Sequence, residues 1–190
     1  MKKLFLVLAI AFLFTGCSPS KHAKEKPAAG KETTSQGATQ VSKQVNFSDP
    51  VTWILGSFRV ERLYRQPYSE WFLKGFDEYA YNPQVTDKLK TLMDAGITMK
   101  IVMGTWCPDS RREVPRFMRI IDATGFPTDR IEMIGVDNSK VAPVKDYEQL
   151  AIKRVPTFIV YKNNVEAGRI IENPVTSLEQ DMVNILSRND

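Results

Sequence analysis

Two cysteines, Cys17 and Cys107, are the only thiols in 190 residues, and His22 is the only histidine. With one His there is no His-based catalytic triad and no His-rich metal site. Two Cys so far apart in the chain do not make a disulfide-stapled scaffold. Cys107 stands in Thr105-Trp106-Cys107-Pro108-Asp109-Ser110, directly after the apolar run Ile97 to Gly104 and directly before a helical pattern. A strand that passes straight into a helix sets the cysteine at the helix N-terminus, where orphan backbone N–H groups and the helix dipole favour an anion. Arg111 and Arg112 follow and add positive charge. This is the setting of a reactive thiolate rather than of an inert buried thiol. One Cys with no His nearby has too few ligands to hold a metal.

Cys17 belongs to another kind of segment. Met1-Lys2-Lys3 is followed by eleven apolar residues, Leu4 to Phe14. As a helix this run rises about 16 Å, short of a hydrocarbon core of about 30 Å. A basic start and a short apolar run read as an export signal. The run ends in Thr15-Gly16-Cys17-Ser18, which resembles the bacterial lipoprotein box, although Phe14 stands where Leu is usual. The resemblance implies that Cys17 is lipidated, as with palmitate, and becomes the mature N-terminus, anchoring the chain in a bacterial cell envelope. Ser18 is not the Asp that enterobacterial sorting reads for inner-membrane retention, which points to the outer membrane facing the periplasm. The alternative is an ordinary signal peptide with an incidental Cys.

Residues 18–46 are mostly Ser, Lys, Thr, Gln, Ala and Gly with no aromatic until Phe47, a composition that cannot bury enough apolar surface to order itself. The chain therefore divides into a signal (1–16), a lipidated cysteine and flexible tether (17–46) and a folded domain (47–190) whose first part (47–84) is an extension. Lys2, Lys3 and the tether's five Lys against two Glu leave 19 basic and 20 acidic side chains in residues 47–190. The net +4 of the whole chain thus sits on its leader and tether. A nucleic-acid binder carries its basic patch on the fold itself, so that class is excluded.

The elements that must position Cys107 are legible from Val85 onward. Val85, Leu89, Leu92 and Met93 have helical spacing that stops at Gly96, and Ile97 to Gly104 reads as a strand buried on both faces. Ser110 to Thr124 is helical, Ile131 to Asp137 a buried strand and Tyr147 to Lys153 a short helix. Thr157 to Lys162 and Val165 to Glu172 form a hairpin across Asn163-Asn164, and Ser177 to Ser187 closes the chain as a helix. The order β-α-β-α-β-β-α predicts an α/β fold, a mixed sheet with helices on both faces. Ten of the nineteen aromatics fall within residues 47–81. Their pattern does not decide between strand and helix: the rings either pack on the core or wall a binding cleft.

Trp106-Cys107-Pro108-Asp109-Ser110 with Pro115, Val155-Pro156-Thr157 and the hairpin Lys162-Asn163-Asn164 resemble, in order and spacing, the active site, cis-proline loop and terminal hairpin of thioredoxins. The resemblance covers about residues 85–190 and implies a thioredoxin-like fold. It implies that Cys107 is the catalytic thiol, and that Val155, Pro156 and Thr157 dock an extended substrate. The chain departs from the pattern at three places. The second thiol of the family is Ser110, the family's buried acid is Ile101, and the glycine expected near the site is Glu172. In that register Glu172 overlooks Cys107 and pairs with Arg111, or else is a solvated acid at a strand end.

A hydroxyl cannot attack a mixed disulfide, so Cys107 would capture a partner and an external thiol would resolve it. The implied function is monothiol thiol–disulfide exchange with protein thiols or disulfides, without cofactor or metal. Arg112, Arg116 and Arg119 recur on one helix face, either as a solvated stripe or as an attractor of anionic partners such as glutathione. The alternative function is a non-catalytic module that keeps the fold's peptide groove for binding or assembly.

Overall fold

The structure is a computed structural model that describes residues 45–188. The leader, Cys17, His22 and nearly all of the tether lie outside the described residues. Apolar residues at every second position make β2 (Ile97–Met103), whose Ile97, Met99, Ile101 and Met103 face one way and Val102 the other. It lies at the centre of a five-stranded mixed sheet with β1 (Gly56–Phe58), β3 (Ile131–Gly135), β4 (Thr157–Lys162) and β5 (Val165–Ile171), in the order β1-β3-β2-β4-β5. Only β2 and β3 are parallel; β1 pairs with β3, β4 with β2 and β5 with β4 antiparallel. The helices are α1 (Ser69–Glu78), α2 (Pro83–Leu92), α3 (Pro108–Thr124) and α4 (Leu178–Ser187). This is an α/β domain.

Local chemistry explains where the helices begin. The Asn82 side chain accepts from the Gln84 and Val85 N–H groups and Pro83 fills the first helical position, so α2 starts two residues before the periodic pattern does. Ser177 caps α4 by accepting from Gln180 N–H. The buried Glu179 accepts from Tyr79 Oη–H at 2.9 Å and from Asn82 N–H at 3.0 Å, which ties the end of α1 and the start of α2 to α4. Burial, then Glu179 itself, pushes the Tyr79 phenol above its ordinary range, so this hydroxyl remains a donor.

The helices do not divide between the two faces of the sheet as expected. Phe72 of α1, Leu89 of α2, Phe117 and Ile121 of α3 and Met182 and Leu186 of α4 all pack with Met99, Ile101, Phe158 and Val160 in one core. The opposite face carries a smaller cluster of Val102, Cys107, Ile134, Val136, Ala142, Tyr147 and Val155. It is covered by the segment between β3 and β4, which holds a single 3-10 turn, Tyr147–Leu150, in place of the expected helix. Asp146 and Ala151 flank that turn at φ 58° and 49°, and left-handed residues at both ends leave no room to propagate a helix. The aromatic extension contributes β1, α1 and two further 3-10 turns, Pro50–Thr52 and Val60–Arg62.

Phe117 and Phe158 stack with centroids 4.4 Å apart and planes 22° from parallel, both buried where α3 meets the middle of the sheet. Phe117→Ala leaves a cavity there and should lower unfolding free energy by about 3–5 kcal/mol in urea denaturation.

Candidate thiol site

Pairing of β2 with its two neighbours fixes the site. Val102 lies opposite Ile134 on β3 and opposite Thr157 on β4, so the chain leaving β2 runs past the residues just before Thr157. Met103 is followed by the buried Gly104 and Thr105, then Trp106, then Cys107 at the N-cap of α3. Pro108 takes the first helical position, where its missing N–H costs nothing. Cys107 is 7% exposed, and its Sγ–H donates to the Val155 carbonyl at 3.4 Å. Val155–Pro156 is one of two cis peptide bonds among the described residues, the other being Gln66–Pro67. Thr157, also buried, donates its hydroxyl to the Arg154 carbonyl at 2.7 Å and braces the same bend. Cys107, Val155, Pro156 and Thr157 are thus brought to one place.

Ser110 is fully buried, and its Oγ accepts from Gly104 N–H at 3.3 Å. The residue at the second-thiol position therefore stitches the start of α3 to the end of β2. Trp106 donates its indole N–H to the Val136 carbonyl at 3.0 Å and lies against the small cluster that contains Cys107. Gly104 makes room for that indole: a Cβ there would come within 2.5 Å of the ring. Asp109 pairs with Arg112 at 2.7 Å within the first turn of α3.

Glu172 does not pair with Arg111. It accepts from Arg154 at 2.8 Å, which keeps that guanidinium more firmly protonated than usual, and its own N–H donates to the Pro156 carbonyl at 2.7 Å. The strand stops at Ile171 because Glu172 turns to φ 58°, the left-handed conformation that glycine adopts most readily. Arg154 is the nearer cation because it belongs to the same bend as Pro156. Arg111 instead lies over the ring of Phe47, 5.0 Å from its centroid.

The arginine stripe on α3 is compensated inside the protein. Arg112 holds Asp109, Glu113 and the Asn173 side chain, with Glu113 chiefly raising its basicity. Arg116 pairs with the same buried Glu113 and lies over Tyr79, while Arg119 pairs with Asp122 and lies over Phe76 and Tyr81. No group of three His, Cys, Asp or Glu side chains suited to a metal occurs among the described residues.

Sequence reasoning missed Thr105, Arg154 and Trp53. Thr105 is a fully buried hydroxyl two residues before the sulfur. A polar residue between Gly104 and Trp106 at the end of an apolar strand was the available signal. Trp53 lies 6.2 Å from Trp106, centroid to centroid, while Phe72 and Tyr68 are buried in the main core. Most rings of the aromatic extension thus pack on the core, and Trp53 lies beside Trp106.

Neither known family models nor curated proteins match the chain. It is similar to the crystal structure of a protein of unknown function from Pseudomonas aeruginosa. The two share 13% identity over 64% of this chain and 82% of that one, at a TM-score of 0.45.

Removing the Ser110 hydroxyl leaves a buried Gly104 N–H with no acceptor. Ser110→Ala should cost about 1–3 kcal/mol in denaturant titration, against a negligible change for a solvated serine.

Proposed function

We propose that the chain is a thioredoxin-like, monothiol thiol–disulfide exchange protein in which Cys107 is the reacting group. The observation that carries this reading is the contact of Cys107 Sγ, at the start of α3, with the carbonyl of Val155 just before Pro156. It joins two segments 48 residues apart that chemistry of this kind requires side by side: a sulfur at a helix N-terminus and a bend of backbone on which a partner's extended chain can dock. The sheet order, with β2 between β3 and β4 and the β4–β5 hairpin followed by α4, supports the thioredoxin-like reading of the fold.

In the proposed reaction the Cys107 thiolate attacks one sulfur of a partner disulfide. A bond forms between Cys107 and that sulfur, the partner's own S–S bond breaks, and its second sulfur leaves as a thiolate. Ser110 cannot displace the captured sulfur, and Ile101 offers no proton-handling acid. An external thiolate therefore attacks the partner's sulfur, forms a disulfide with it and returns Cys107 as a thiolate. Val155 and Pro156 hold the partner's chain while this happens.

A binding module without exchange chemistry is the second reading. It is favoured by the near-complete burial of Cys107 and the engagement of its thiol with a protein carbonyl. Oxidised glutathione separates the two. Exchange predicts a mixed disulfide on Cys107, read as a peptide-resolved mass increase and absent in Cys107→Ser. Under the same reading Ser110→Cys acquires the missing resolving thiol and should reduce insulin in excess dithiothreitol, where the parent shows little turnover. No adduct on a thiol that still alkylates, and no reduction by Ser110→Cys, would give the lead to the binding module.

The lipid anchor proposed at Cys17 has its own test. Cells fed a fatty-acid analogue should label the parent chain and not Cys17→Ala, which should also escape processing at that site. Equal labelling of both would remove the anchor from the proposal.

A further inference from the structure

We propose that residues 47–55 form a strap over the site, clasped by the Thr105 hydroxyl, which sets how far Cys107 is open to solvent. Thr105 and Trp53 are then positioning residues for the sulfur. The inference rests on Cys107 being the reacting thiol, but not on any partner being captured.

The strap is built locally. Asp49 accepts from Val51 N–H at 3.1 Å and opens the 3-10 turn Pro50–Thr52, after which Trp53 is extended. Extended backbone exposes its N–H and C=O groups sideways, and here both find one side chain. Thr105 Oγ1 accepts from Ile54 N–H at 3.3 Å and its hydroxyl donates to the Thr52 carbonyl at 3.2 Å. Tyr68 Oη–H reaches the same carbonyl at 3.1 Å. A fully buried hydroxyl is costly unless its bonds are made, and these are the bonds that satisfy Thr105. Strap and sheet also touch closely, since a Cβ on Gly135 would lie 2.1 Å from the Ile54 carbonyl oxygen.

Through this clasp the strap reaches the chain on both sides of Cys107. Before the sulfur, Trp53 leans on Trp106 at 6.2 Å with ring planes 53° apart, and Trp106 is held from its other side by the Val136 carbonyl. After it, the ring of Phe47 carries Arg111. Trp53 Nε1–H donates to the Phe47 carbonyl at 3.0 Å, which joins the two contacts within the strap. Its outer side is open: Val51 is 85% and Leu55 50% exposed. Within 47–55 only Ile54 is buried, in the main core with Phe47 packed against it, and a segment with so few buried apolar contacts opens below the global unfolding free energy. Opening lifts Trp53 off Trp106 and uncovers the sulfur while the sheet stays intact.

The test is alkylation of the full chain by iodoacetamide, read peptide by peptide by mass spectrometry so that Cys17 is scored apart. Thr105→Val keeps the shape and removes both clasp bonds, and Cys107 should alkylate about five- to tenfold faster. Thr105→Ser restores the hydroxyl and should restore the parental rate. Trp53→Ala keeps the clasp but removes the support of Trp106, so it should accelerate Cys107 as well and serves if Thr105→Val does not fold. Hydrogen exchange at the Ile54 amide reports the strap itself. Faster exchange there with unchanged alkylation, or a parental rate in Trp53→Ala, overturns the proposal. Because iodoacetamide needs no partner, strap variants that accelerate alkylation while no glutathione adduct forms would count against exchange and not against the strap.

Discussion

Everything at the site hangs on one register, Val102 of β2 opposite Thr157 of β4. Side chains alternate along a strand, so a slip of one residue would turn Val102 and Ile159 toward the helices and throw Met103 and Phe158 out of the core. The apolar runs on both strands forbid that. With the register held, the two chains leave the sheet together: β2 upward into Cys107 and α3, β4 backward into Pro156 and Val155. Their meeting as a sulfur-to-carbonyl contact of 3.4 Å follows from strand pairing and needs no loop to find its own way. On the proposed reading, the sheet's hydrophobic pattern is what places reacting atom and docking backbone side by side.

The two faces of the sheet share the work unequally. The helical face buries Phe72, Leu89, Phe117, Phe158 and Met182 in one continuous core that takes a residue from every helix. The other face has a cluster of seven buried residues, under a segment whose regular structure is a single 3-10 turn. Cys107 belongs to the smaller cluster. Local opening is easiest where few apolar contacts are lost, and the thiol sits on the face that has fewer of them.

How much of this was legible depends on whether the cause was local. Strands from Ile97 onward and the α3 and α4 helices could be read because periodicity and caps act within a few residues. The helix read over 147–153 failed because Asp146 and Ala151 take left-handed backbone that no side-chain pattern announces. Residues 47–81 could not be assigned: the helix α1 within them went unread, and the part before it has a conformation imposed from outside, since Ile54 and Thr52 bond to Thr105, 51 and 53 positions along. The same limit explains Glu172. A register count from Pro156 could reach Glu172 because the two are paired through the Glu172 N–H and the Pro156 carbonyl. Which arginine it meets is a matter of where Arg154 points, and Arg111 is drawn to the face of Phe47 instead.

That distribution of charge also bears on what could bind at the site. A cation steers an anionic partner through the part of its field that no nearby carboxylate cancels. Arg112 and Arg116 share the buried Glu113, Arg112 also holds Asp109, and Arg154 is matched by Glu172. What remains near the sulfur is Arg111, whose partner is an aromatic ring and so leaves its charge in place. One such cation gives modest attraction, falling off over a Debye length of about 8 Å in physiological salt. A small anion gains little more than this from the protein. On the proposed reading a polypeptide would instead lie along Val155 and Pro156, beside Trp53 and Trp106. A protein disulfide would therefore gain at this site through contact area, which glutathione lacks, rather than through charge.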